Sequence, residues 1–152
     1  MSSSMMVFTF CECDSNRTEF RSKSLGKAVI KAIGLGCGEL YGPDGTTVII
    51  EKYGEYGKSI RALTTLSNED IDDINSNTWA RDYFVRGLLV SGKISYVSYG
   101  DKREHDRMAH FTIDSDGARY IFDIPCGYRQ FKNSTIEELL RYHPQNLERV
   151  IA

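Results

Sequence analysis

Apolar and polar residues alternate from Val7 to Cys13, the period of a half-buried β-strand, and Asp14-Ser-Asn16 closes the run with turn residues. The period then changes. Leu25, Ala28, Val29, Ala32 and Ile33 recur at helical spacing, Ser22 or Ser24 is placed to cap the first turn, and Gly34, Gly36 and Gly38 stop the helix. Thr46–Ile50 is an unbroken β-branched run and reads as a second strand. Pro43-Asp44-Gly45 is the turn before it, and Glu39–Tyr41 its partner in a hairpin.

The middle of the chain is more polar. Ser67-Asn68-Glu69-Asp70 opens a short acidic helix with Ile71 and Ile74 pointing inward. Trp79, Tyr83, Phe84 and Leu88 suit one face of a second helix, capped by Asn77 or Thr78. Gly87 weakens that pattern and leaves a strand through Leu88–Val90 as the alternative. Ile94–Tyr99 reads as a strand, and the charged run Asp101–Arg107 as a loop.

Met108–Ile124 carries the strongest local signal. Asp116-Gly117 is a two-residue type I′ turn pair between alternating strands. Folding about it puts Ala109, Phe111, Ile113, Tyr120, Phe122 and Ile124 on one apolar face. The other face pairs His110 with Asp123, Thr112 with Ile121 and Asp114 with Arg119, and a slip of one residue would scatter the apolar set. Ser134-Thr-Ile-Glu137 matches a capping box, with Ile136, Leu139 and Leu140 inward and Pro144 as the stop. Leu147–Ile151 is expected as a final turn packed on the body. Asp44-Gly45 and Asp116-Gly117 each lead into a strand ending in an acid, an echo that hairpin architecture produces by convergence.

These elements make an α+β fold, a small single domain with antiparallel β-hairpins and three to four helices, preceded by a flexible N-terminus over residues 1–6. Residues 7–152 form the domain. A chain of 152 residues fits one domain. Folding at that size buries roughly 68–70% of the unfolded surface, so neither metal nor disulfide is needed as a staple. Apolar residues are 41% and charged residues 26%, which argues against disorder. With 19 basic and 21 acidic side chains the net charge is −2, too balanced for a general nucleic-acid binder. No apolar run reaches the ~20 residues of a membrane span, and the start, Met1–Val7, lacks the basic residue and long apolar stretch of a signal peptide. A cytoplasmic location follows as the expectation, with the four cysteines reduced.

Candidate chemistry is sparse. Cys11 and Cys13 share a strand face, and Cys37 and Cys126 would complete a four-sulfur zinc site, but no CxxC knuckle is present and buried thiols are the better reading. Gly34-Leu-Gly-Cys-Gly38 follows a helix, where a phosphate loop would have to precede one. Glu69–Asp73 lacks the spaced oxygens of a calcium loop and reads as a solvated helix face. Neither a metal nor a cofactor is expected.

His110-Phe-Thr112 resembles one half of the paired His-x-Thr signature of two-histidine phosphoesterases, in which each histidine and hydroxyl project from a strand towards the transferring phosphate. This chain has a single copy. His105 and His143 lie outside any such pattern, and His110 hydrogen-bonded to Asp123 is the simpler expectation. His110, Thr112 and Asp123 are the catalytic candidates.

Aromatic and basic residues interleave twice: Lys52-Tyr53, Tyr56, Lys58 and Arg61, and Tyr128-Arg129 with Phe131-Lys132. Such mixtures hold single-stranded nucleic acid or nucleotides, and tyrosine and arginine are also the favoured anchors of protein interfaces. Nine tyrosines favour contact surfaces. The expected function is therefore a non-catalytic binding or regulatory protein, of the accessory type that phages and mobile elements encode. It would act on a host or partner protein through Tyr128, Arg129, Phe131, Lys132, Tyr53 and Tyr56. A nucleotide or single-strand nucleic-acid binder is the first alternative, and a phosphoesterase or nuclease centred on His110 and Thr112 the second. No membrane partner is expected.

Overall fold

The structure, a computed structural model, describes residues 5–55, 57–100 and 107–150. The fold is α+β, with two antiparallel sheets of five and four strands. The chain divides into two compact units, Met1–Gly87 and Leu88–Ala152.

In the first unit β1 (Met6–Glu12) lies between β2 (Arg17–Ser22) and β3 (Gly38–Tyr41), followed by β4 (Thr47–Tyr53) and the edge strand β5 (Gly57–Ala62). Phe8, Phe10, Phe20, Leu40, Val48, Ile50 and Ile60 are buried, and the Phe8 and Phe20 rings stack at 5.9 Å. Strands β2 and β5 lack clear alternation. Each is an edge strand with one large buried apolar side chain, Phe20 or Ile60, so its sequence is mostly polar.

Helix α1 (Leu25–Ile33) is capped by Ser24, whose hydroxyl accepts from the Lys27 amide. Helix α2 (Asn68–Asn75) has a complete capping box between Ser67 and Asp70. The two helices meet at Gly26, where an added Cβ would stand 2.7 Å from the Asp70 carbonyl oxygen. The acidic stretch contributes directly to this contact. Asp70 accepts from the Gly26 amide at 2.9 Å, and Asp73 from the Ser24 hydroxyl at 2.9 Å. These carboxylates cap and join helices.

Helix α3 (Thr78–Ser91) runs across the boundary between the units. Asn77 caps it, its side-chain oxygen accepting from the Ala80 amide. The second helix is present, but its expected inward face is not the observed one. The buried stripe is Ala80, Phe84, Val85 and Leu88, while Trp79 is 57% exposed, so the inward face is rotated away from Trp79. The helix also continues through Leu88–Val90, where the alternative was a strand. Gly87 has a packing reason: a Cβ there would lie 1.8 Å from the Ile60 carbonyl oxygen on β5.

In the second unit the sheet order is β6 (Lys93–Tyr99), β7 (Met108–Ser115), β8 (Ala118–Pro125) and β9 (Gln145–Val150). Asp116 and Gly117 have φ of 48° and 79°, the two left-handed residues that a type I′ turn needs. Every pair in the expected register is present, and Ala109, Phe111, Ile113, Tyr120, Phe122 and Ile124 are all buried.

Two short helices follow, α4 (Tyr128–Asn133) and α5 (Ile136–Leu139), the latter continuing as a 3-10 turn over Leu140–Tyr142. The capping box at α5 is one residue later than expected. Thr135 and Glu138 bond each other's amides, whereas Ser134 ends α4. The final segment is a strand and not a turn: β9 pairs with β8 and buries Leu147. Its remaining residues are polar or part-exposed, which hides the strand period.

Two groups of the second unit make its stability pH-dependent. Burial pushes the Tyr120 phenol above its ordinary 10.0 and the Cys126 thiol above its ordinary 9.0. The folded state therefore keeps these protons to higher pH than the unfolded chain. This stabilisation is intact below the unfolded values and is lost as pH rises past them. The thermal midpoint is expected to fall as pH is raised above 9.0 and then 10.0. Tyr120→Phe combined with Cys126→Ala should flatten that fall in a calorimetric pH series, and parallel curves for variant and wild type would exclude these groups as its source.

Candidate functional site

The aromatic and basic residues of the second unit converge at one place. Tyr128 and Phe131 are three apart on α4 and so lie on the same side of it. Tyr99, at the end of β6, joins them. Its ring lies 5.4 Å from Tyr128 and 5.1 Å from Phe131, and Tyr128 is 6.5 Å from Phe131. The Tyr99 hydroxyl donates to the Cys126 carbonyl at 2.7 Å, which fixes that ring against the start of α4. The Lys132 ammonium sits 5.7 Å from the Tyr128 centroid. Tyr128 is 56% exposed, Arg129 and Lys132 are exposed, and Phe131 is half-buried.

The base of α4 is held from below. Gln130 accepts from the Gly127 amide at 2.8 Å and donates to the Tyr142 hydroxyl at 2.7 Å. Arg141 donates to the same hydroxyl at 2.9 Å. The cluster is thus a braced set of rings with cations at its margin. Four of the sequence-predicted binding residues, Tyr128, Arg129, Phe131 and Lys132, belong to this segment. Tyr99 was missed, because nothing in linear spacing ties residue 99 to residue 128.

Tyr53 belongs to the first unit. The Arg86 guanidinium lies 5.6 Å from its ring and 5.9 Å from that of Tyr83, and Trp79 is 6.2 Å from Tyr83. Lys52 pairs with Lys58 across the β4–β5 ladder beside Tyr53. Lys58 donates to the Ile33 carbonyl at 2.9 Å and so finishes the end of α1. Tyr56 lies outside the described residues.

On the outer face of the second sheet, His110 Nδ1 is 2.6 Å from Asp123 Oδ1. Asn146, with φ of 56°, donates to the other Asp123 oxygen at 2.8 Å. Thr112 follows two residues along the same face, opposite Ile121, and Ser98 is paired with His110 from β6. A carboxylate so placed orients an imidazole. A two-histidine centre needs a second strand-borne pair. His143 instead follows the 3-10 turn with φ of 63°, and His105 lies outside the described residues.

Of the four cysteines, Cys126 is buried in the second unit, while Cys13 is exposed and Cys11 and Cys37 are half-buried in the first. No group of three or more potential metal ligands gathers among the described residues. An open cavity of about 460 Å³ in the first unit is lined by Glu12, Cys13, Asp14, Cys37, Glu51 and Lys52, with Ile50. Gly34 ends α1, its amide donating to the Lys31 carbonyl, consistent with a helix stop at the glycine run. Asp82 is the one charged side chain buried among the described residues, a feature the misplaced face of α3 concealed. No helix among them is long and apolar enough to cross a membrane.

The chain matches no protein-family model, no curated protein and no solved structure.

Proposed function

We propose that this is a non-catalytic binding or regulatory protein that engages a partner protein through the ring cluster of its second unit. The observation that carries this reading is the contact of Tyr99, Tyr128 and Phe131 in a surface position, with Tyr128 56% exposed and Lys132 beside it. Such rings lose little side-chain entropy on binding because they are already held, and tyrosine with arginine at an interface centre carries most of the affinity. On this reading the protein acts in the cytoplasm as an accessory protein of the kind phages and mobile elements encode.

A second reading, a nucleotide or single-strand nucleic-acid binder, is favoured by the Lys132 cation over an open aromatic face. One pair of experiments separates the two. Tyr128→Ala should reduce affinity for a partner recovered from native lysate by about thirtyfold, the ≥2 kcal/mol of a truncated anchor. Its thermal midpoint should stay within a degree or two, because the side chain is mostly exposed. Affinity for a protein partner should change little with salt, whereas nucleic acid requires a steep fall as counterions are released. Unchanged affinity in Tyr128→Ala would remove the cluster from consideration and turn attention to the His110 face.

A further inference from the structure

We propose that Cys13 and Cys37 form a reversible cross-strand disulfide, making one end of the first unit's sheet a thiol–disulfide site. The pairing of β1 with β3 sets Cys11 against Glu39 and Glu12 against Gly38. Carried one step past the end of the ladder, the same register would bring Cys13 opposite Cys37. The Cys13 amide donates to the Cys37 carbonyl at 3.3 Å, and the Cys13 thiol donates to the same oxygen at 3.5 Å. Facing residues of an antiparallel pair project to the same side, with Cα atoms about 4.5–5.5 Å apart. Disulfides span Cα separations of roughly 4.4–6.8 Å. The register therefore puts the two sulfurs within bonding reach by side-chain rotation and a small backbone twist.

The surroundings permit that twist and give access. The pair lies just beyond the last ladder residues of both strands, and Cys37 sits between Gly36 and Gly38. Cys13 is exposed, and both residues line the open cavity, so a small disulfide can approach. Cys11 shares the strand face of Cys13, but its opposite residue is Glu39. Cys126 is buried in the other unit.

With oxidised glutathione as the oxidant, the Cys13 thiolate attacks one glutathione sulfur. A Cys13–glutathione bond forms and the glutathione S–S bond breaks, releasing one glutathione thiolate, which takes up a proton. The Cys37 thiolate then attacks Cys13 Sγ, closing Cys13–Cys37 and releasing the second glutathione. Two protein thiols are oxidised and one glutathione disulfide is reduced to two thiols. A bridge across a hydrogen-bonded strand position must pull the sulfurs together. That strain makes it easily reduced, the character of a regulatory disulfide more than a structural one.

The folded protein is treated with oxidised glutathione, blocked with iodoacetamide, digested and mapped by mass spectrometry. The expected product is one linked peptide pair joining Cys13 to Cys37, with Cys126 in no link and the link lost on return to reduced glutathione. Cys37→Ser should stop at a Cys13–glutathione adduct, and Cys11→Ser should still form the link. A persistent Cys13–glutathione adduct in the wild type, a link through Cys11, or full alkylation of both cysteines would each overturn the proposal. Circular dichroism on the same samples confirms that the link forms in folded protein. A link that appears only after the native signal is lost counts against it.

Discussion

Gly87→Ala should be strongly destabilising, by about 3 kcal/mol or more, the upper end of overpacking costs. On an exposed helix the same change would stabilise by about 1 kcal/mol, because alanine is the better helix former. Here the added methyl would sit 1.8 Å from the Ile60 carbonyl oxygen, with the carbonyl carbon at 2.8 Å. Both are backbone atoms of β5 and cannot rotate aside, so the helix must lift from the strand. Urea unfolding followed by circular dichroism decides the sign. A midpoint equal to or above the wild type would show that α3 does not press on β5.

Phe122→Ala is expected to cost about 3–5 kcal/mol, the range for emptying a buried aromatic site. Phe122 is fully buried and stacks on Phe111 across the hairpin at 5.3 Å. The loss would consume much of the 5–15 kcal/mol typical of a whole domain. Phe122→Leu keeps most of the apolar volume and should lose much less. Equal losses for the two variants would mean that the side chain is not packed as described.

These two sites differ in how plainly the sequence announces them. The hairpin was legible because three independent signals agree: a two-residue turn pair, strict alternation on both sides, and one apolar face in a single register. The caps at Ser24, Ser67 and Asn77 were legible for a similar reason, since side-chain chemistry and the onset of helical period coincide there. The edge strands were not. A strand with one buried apolar residue, such as β2 with Phe20 or β9 with Leu147, carries too little apolar content to show a period. Trp79 misled the reading of α3 because size was taken for burial, while the smaller Ala80 and Val85 line the true inner face. Gly87 looked like a helix breaker because its constraint is imposed by β5, far away in sequence.

The candidate sites divide along the same line. His110–Asp123 followed from register, which alternation determines. Tyr128, Phe131 and Lys132 were flagged by composition, but their third ring, Tyr99, is supplied by a strand that only the fold brings there. Tyr53 was flagged with the other interleaved segment, Lys52 to Arg61, and the fold adds to it Arg86, which also lies over Tyr83.

Site-specific photocrosslinking tests the binding reading most directly. A benzophenone side chain is placed at position 128 in one sample and at position 119 in another. Arg119 lies on β8, is engaged with Asp114 at 2.7 Å, and serves as a surface control. Irradiation in native lysate should yield a discrete protein adduct from position 128 that is absent from position 119 and suppressed by Phe131→Ala. Equal labelling from both positions, or no adduct from position 128, would contradict a partner-binding role for the Tyr99–Tyr128–Phe131 cluster.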